Sequence, residues 1–262
     1  MSVPTYAADL ARIGEALERA RAALQRFTPG EIEARHKVGD DPVTEADTTV
    51  DALLREILPR DGEGWLSEET RDDLSRLERR RVWVVDPLDG TREFVTGIPE
   101  WCVSVGLVVD GEPVAGGILN PATGETIVGA KGAGVSLNGR PVRVRDRRTL
   151  AGATVVASRS EVKRGEWQGY REDLFAIRPT GSVAYKLGLV AAGLVDATWT
   201  LTPKHEWDVA AGVALVLAAG GAIVAGSPEE FRFNRAKPKL TRLIAAHPAL
   251  IPEIKAEIAR RG

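Results

Sequence analysis

The chain has 262 residues, 44% of them hydrophobic, with 35 Lys and Arg against 37 Asp and Glu for a formal charge of −2. That length suits one large α/β domain or two small ones sharing a core, and the even charge balance lacks the basic bias of a general nucleic-acid binder. Cys102 is the single cysteine, which excludes an internal disulfide and a cysteine-rich metal site and fits a cytoplasmic location.

Residues 4–27 carry Leu10, Ile13, Leu17, Ala20 and Leu24 at helical spacing, and Pro29-Gly30 end the pattern. Charges at Asp9, Arg12, Glu15, Glu18, Arg19 and Arg21 break up any signal-peptide core, so none is expected. A polar loop with Lys37, Asp40, Asp41 and Pro42 follows. A second helix is predicted from about Thr44 to Leu58, with Val50, Leu53, Leu54, Ile57 and Leu58 as its apolar stripe. Asp47 and Asp51 fall in its first two turns, where the helix dipole favours negative charge.

Residues 71–81 read as a charged connector. Val82-Trp83-Val84-Val85 is then a continuous apolar strand that stops at Asp86. Further strands are predicted at 101–109, 113–119 and 124–130, separated by Asp110-Gly111 and Asn120-Pro121, and Asn138-Gly139 marks another hairpin. Beyond the polar stretch at 145–150 the elements alternate. Strands are expected at 153–158, 195–200, 221–225 and 242–246, with helices at 183–193, 208–219 and 251–260. The longest apolar run, Val209 to Leu217, falls well short of the roughly 20 residues of a membrane span. A soluble protein with no membrane partner is expected.

Asp86-Pro87-Leu88-Asp89-Gly90-Thr91 carries the strongest chemical signal. Two carboxylates three residues apart at the end of a buried strand repel each other unless a cation lies between them. Pro87 stiffens the turn, and Gly90 allows close backbone approach to a ligand. Free N–H groups from Thr91 onward would open a short helix, Arg92 to Val95, towards a phosphate. Hard oxygen donors suit Mg²⁺, which commonly takes substrate phosphate as a further ligand. Ser67-Glu68-Glu69 ends a short strand-like piece, and Trp207-Asp208-Val209 opens an apolar helix. Each alone has an ordinary explanation, a solvated loop or an N-cap; three acidic clusters at element ends point to convergence.

Together with Asp41-Pro42-Val43-Thr44-Glu45-Ala46-Asp47, these segments resemble in order and spacing the motifs of the inositol monophosphatase superfamily, over roughly residues 5 to 260. The resemblance implies a layered αβαβα sandwich of the α/β class. It divides into an N-terminal α+β subdomain, 1–150, with most metal ligands, and a C-terminal α/β subdomain, 151–262, with Asp208 and the leaving-group side. It implies two or three Mg²⁺ held by Glu68, Asp86, the Leu88 carbonyl, Asp89 and Asp208, and a lithium-sensitive phosphomonoesterase. Asp47, Thr91 and Glu68 would serve catalysis, with Asp47 acting through the Thr91 hydroxyl on the attacking water. The Gly90 and Thr91 amides would hold phosphate oxygens, and Glu69 would orient its neighbour. Lys37 could bind an anion or water at the site or stand in solvent. The three histidines, His36, His205 and His247, read as structural or rim residues.

The resemblance also bears on the substrate, a small phosphorylated metabolite. Ser182 and Lys186, in Gly181-Ser182-Val183-Ala184-Tyr185-Lys186, and Asp208 would face the leaving group. Lys186 is similar to a lysine near the nucleotide in 3′(2′),5′-bisphosphate nucleotidases, where it would meet a second phosphate; Glu206 and Arg92-Glu93-Phe94 look like the same branch. The consecutive serines usual in that branch are replaced here by Val183 and Ala184. Ala197-Thr198-Trp199-Thr200 has no acid where inositol monophosphatases carry a glutamate for inositol hydroxyls. Hydrolysis of adenosine 3′,5′-bisphosphate is therefore expected, with inositol 1-phosphate, another polyol phosphate or histidinol phosphate as the alternative. A non-catalytic metal-dependent binding protein is the alternative of another class, and a monomer or a homodimer suits the family.

Overall fold

The computed structural model describes residues 6–36 and 42–261, so Lys37 and Asp41 lie outside the described residues. Helix α1 (Ala7–Leu24) and helix α2 (Glu45–Ile57) come first, as the apolar spacing predicts. Strand β1 (Gly64–Ser67) precedes β2 (Arg81–Asp89), the short α3 (Thr91–Val95), β3 (Cys102–Val109), β4 (Glu112–Asn120) and β5 (Glu125–Ala130). A hairpin of β6 (Gly134–Leu137) and β7 (Arg140–Val142) turns at Asn138-Gly139, both with positive φ, as a two-residue turn of this composition requires. These seven strands form one sheet in chain order, antiparallel except for the parallel pair β1–β2.

The second half supplies β8 (Thr154–Ser158), α4 (Arg159–Lys163), β9 (Ala176–Thr180), α5 (Val183–Ala191), β10 (Ala197–Trp199), α6 (Glu206–Ala218), β11 (Ala222–Ala225), β12 (Leu243–Ala246) and α7 (Ile251–Arg261). Its five-stranded sheet has the order β9-β8-β10-β12-β11, with β8 parallel to both β9 and β10. Sequence periodicity misses α4 and β9. Pro179 and Arg178 interrupt the apolar pattern of β9, which an edge strand tolerates because one side needs no ladder bonds.

Five layers result, and they explain why β2 is apolar without interruption. Trp83 and Val85 pack with Ile13, Leu17 and Leu54 of α1 and α2. Val82 and Val84, on the opposite face, pack with Leu187 of α5 and Val209 and Val213 of α6. Alternation of period 2 buries both sets because helices cover both faces of the sheet. Beyond α5 and α6, Val155 and Ala157 of the second sheet pack with Ile251 and Ile254 of α7. No described helix is long and apolar enough to cross a membrane.

The placement of α6 depends on close backbone approach. A Cβ on Gly116 would come within 2.5 Å of the Ala211 carbonyl oxygen, and one on Gly106 within 2.9 Å of Ala210 Cβ. Glycine at these positions lets α6 lie directly on β3 and β4, which brings Asp208, in its first turn, to the mouth of the first sheet.

Candidate active site

Strand β2 does not stop at Asp86 but runs to Asp89, with the register against β3 shifting between those two residues. Such an irregularity bends a strand and re-aims its side chains. Pro87, which cannot donate a ladder bond, sits inside it. The Leu88 N–H donates to Asp86 Oδ1 at 3.1 Å. Gly90 follows with φ +98°, and a Cβ there would lie 2.9 Å from the Glu100 carbonyl oxygen, so both conformation and space call for glycine.

One carboxylate oxygen each from Glu68, Asp86 and Asp208 lies within 4.8 Å of the others. Asp89 joins them on the wall of one cavity of about 560 Å³. Burial, then the charges of Glu68, Asp89 and Asp208, pushes the Asp86 carboxyl well above the usual carboxylate range. Burial and the charges of Asp89 and Glu68 do the same to Asp208. Carboxylates packed this closely need compensating positive charge to stay ionised together. An all-oxygen donor set of carboxylates fits Mg²⁺.

Asp47 is almost wholly buried on α2. Its Oδ2 accepts the Thr44 N–H at 2.7 Å and the Thr44 hydroxyl at 2.6 Å, closing a capping box, and its Oδ1 accepts the Thr91 hydroxyl at 3.0 Å. The Thr91 hydroxyl also lies 3.0 Å from the Leu88 carbonyl oxygen, so the carbonyl expected to hold metal shares the Thr91 proton with Asp47. Burial raises the Asp47 carboxyl, and the bonds from Thr44 and Thr91 offset part of that rise.

Ser182 and Lys186, expected from the sequence to face the leaving group, both line the cavity, and their polar groups also bond within the protein. Ser182 Oγ donates to Asp89 Oδ2 at 2.7 Å, and the Ala184 N–H donates to the same oxygen. Lys186 Nζ is buried and donates to the carbonyls of Ser182 at 2.7 Å and Thr180 at 3.3 Å. Burial pulls the Lys186 ammonium down to about 8 against the opposing pull of the Asp89 charge. Glu206 is buried and accepts the backbone N–H groups of Asn234 and Arg235. Cys102 Sγ lies 3.3 Å from Ser182 Oγ with its thiol pushed up by burial, a poor nucleophile.

Sequence reasoning missed the cationic side of the cavity. Arg164, Lys204 and Lys239 line it together with the carboxylates. Lys204 Nζ donates to Thr202 Oγ1 at 2.8 Å and stands 3.8 Å from Glu161, whose carboxylate also accepts Trp167 Nε1, the Leu201 N–H and the Thr202 hydroxyl. The available signal is Pro203-Lys204, separated from the Trp207-Asp208 motif by only His205 and Glu206.

Known proteins are similar to this chain over most of its length. The sequence profile of the inositol monophosphatase family matches residues 3–260. The chain belongs to that family. It is similar to the inositol-1-monophosphatase of Rhizobium meliloti, 36% identical over 190 residues that cover 69% of this chain and 71% of the relative. The inositol monophosphatase structure from Anabaena superposes with a TM-score of 0.78 at 28% identity, covering 97% of this chain and 96% of that one. The CysQ structure from Bacteroides thetaiotaomicron, a bacterial member of the family, gives 0.74 at 25% identity over 92% and 97%. The chain is thus a metal-dependent phosphatase, and the layered sandwich is the fold of the family.

Proposed function

We propose that the enzyme uses Mg²⁺ to hydrolyse a phosphomonoester whose leaving group bears a second anion, with adenosine 3′,5′-bisphosphate as the first candidate. Lys204 is the observation that carries this reading. It stands on the cavity wall with its side chain only 16% exposed, held between Thr202 and Glu161, and its charge bears on Asp89 and Asp208. A cation fixed there, with Arg164 and Lys239 on the same wall, favours a leaving group carrying negative charge. Inositol 1-phosphate is the second reading, favoured by the name of the Rhizobium meliloti relative.

In this mechanism Glu68, Asp86, Asp208 and one oxygen of Asp89 would hold two or three Mg²⁺, with the Leu88 carbonyl as a further donor. When bound there, Mg²⁺ would supply the positive charge needed to admit a phosphate dianion, acidify water and stabilise the departing alkoxide. Asp47 draws the Thr91 proton towards Oδ1, which turns a lone pair of the Thr91 oxygen outward to accept a proton from the attacking water. The Gly90 and Thr91 amides steady the phosphate oxygens for in-line attack. Positioning and charge compensation supply most of the acceleration.

The test is phosphate release with Mg²⁺ from adenosine 3′,5′-bisphosphate and inositol 1-phosphate side by side, with Asp89→Asn as the inactive control. A kcat/KM preference for the nucleotide of about 100-fold, worth roughly 2.7 kcal/mol, that shrinks in Lys204→Ala supports the reading. A preference for the inositol ester overturns the substrate and leaves the hydrolytic centre standing.

A further inference from the structure

Helix α2 carries two buried carboxylates one turn apart, and the mechanism above uses only Asp47. The second, Asp51, faces the loop that follows β1. Ser67 Oγ donates to Asp51 Oδ1, and Thr70 Oγ1 donates to Oδ2 at 2.7 Å. Those two donors flank Glu68-Glu69, and Ser67 Oγ in turn accepts the Glu69 N–H at 3.4 Å. We infer that Asp51 is a positioning residue for the metal site, clamping the Ser67–Thr70 loop so that Glu68 is held towards Asp86 and Asp208. This rests on the reading of Glu68 as a metal ligand.

The loop needs a clamp because of where it lies. Strand β1 is the edge of its sheet, and its pairing with β2 ends at Ser67–Val85, with one further bond from the Glu68 N–H to the Val85 carbonyl at 3.3 Å. Beyond that point the β1–β2 ladder ends, while Asp86 and Asp208 repel the Glu68 carboxylate. Two hydroxyl donors on one buried carboxylate form strong, directional bonds that resist this push. Asp47 and Asp51 sit on a single rigid helix, so α2 sets the spacing between the Thr91 hydroxyl and the Glu68 loop. A metal site organised in this way binds its ion without first ordering a ligand.

The measurement is calorimetric titration of EDTA-stripped protein with Mg²⁺, for wild type, Asp51→Ala, Asp51→Asn and Glu68→Gln. Asp51→Ala is expected to weaken Mg²⁺ binding by about 10- to 100-fold. Asp51→Asn, which keeps an acceptor oxygen, should fall between it and wild type, and saturating Mg²⁺ should restore most of the turnover of both. Weakened binding in Glu68→Gln with an unchanged Kd in Asp51→Ala overturns the positioning role alone. An unchanged Kd in Glu68→Gln overturns the ligand assignment beneath it. Should Asp51→Ala fail to fold, Ser67→Ala and Thr70→Val remove the same bonds from the loop side; weaker Mg²⁺ binding supports the clamp, and wild-type binding in both overturns it.

Discussion

Ser182 Oγ lies 2.7 Å from Asp89 Oδ2, a bond that joins a carboxylate of the first sheet to the start of α5 in the second half of the chain. Ser182 has φ +55°, an unfavourable conformation for a residue with a side chain. Its carbonyl accepts from Lys186 Nζ, so the lysine holds the turn from behind while the turn holds Asp89.

That arrangement separates two roles for Lys186. A positioning lysine, replaced in Lys186→Met, should lower kcat by about 10-fold or more while the substrate KM stays within about threefold, because the loss falls on the geometry of the reacting centre. A lysine that touched the second anion of the substrate would raise KM instead. Steady-state kinetics on the preferred ester distinguishes the two, and Ser182→Ala should follow the first pattern.

Asp47 and Thr91 form the second testable pair. Thr91→Val removes the hydroxyl at nearly constant volume, and Asp47→Asn removes the charge while keeping an oxygen for the Thr44 cap. Each should lower kcat by about 10² to 10⁴, the usual worth of a positioned acid–base group. Thr91→Ser, which restores the hydroxyl, should recover most of the activity. Parallel losses that do not add in the double variant would mark one functional unit.

Repulsion among the acidic ligands predicts a trade between stability and activity. Asp208→Asn removes one negative charge from the cluster, yet its amide oxygen can still accept the His205 N–H, which Asp208 Oδ2 does at 2.8 Å. In EDTA the variant should melt above wild type by a few degrees, about 1 kcal/mol for a chain of this size. Saturating Mg²⁺ should reverse that order, since the wild type gains more from binding the ion. Calorimetric melting with and without metal checks both halves of the claim, and a variant less stable under both conditions would refute it.

The features that were legible in the sequence are those written in local chemistry. The αβαβα layering comes from the family resemblance of the acidic motifs, and two helical stripes, a both-sides-apolar strand and an alternating second half are consistent with it. The convergence of Glu68, Asp86 and Asp208 was approachable because each closes or opens an element next to an apolar run. From the sequence Asp51 reads only as a helix-dipole residue, because its partners Ser67 and Thr70 are distant along the chain and ordinary in type. Lys186 reads in the sequence as a residue facing the leaving group, and a lysine in a motif gives no hint that it also donates to the carbonyls of Ser182 and Thr180. The cationic wall escaped because Arg164, Lys204 and Lys239 are scattered along the chain and meet only when both sheets are assembled. Charge partners across layers leave no periodicity to read.

Glu63 gives a prediction away from the active site. Its carboxylate accepts from Arg12, Arg81 and Trp83 Nε1, with Arg12 Nη1 at 2.8 Å and Arg81 Nε at 2.9 Å, and so joins α1 to the start of β2. Burial alone would raise its pKa, but these bonds and the Arg12 charge outweigh burial and bring it down to about 2. The sign follows from linkage: a folded-state pKa below the unfolded value adds stability above the unfolded pKa. That stability is lost as pH falls through the folded one. Glu63→Gln should therefore cost about 2 kcal/mol near neutral pH, where it leaves buried donors poorly matched. The gap between the melting temperatures of wild type and variant should hold from pH 8 to about 5, then close as pH drops towards about 2. Thermal melts at half-unit steps across that range check it. A gap that stays constant down to pH 3 would show that the ionised carboxylate is not what binds α1 to β2.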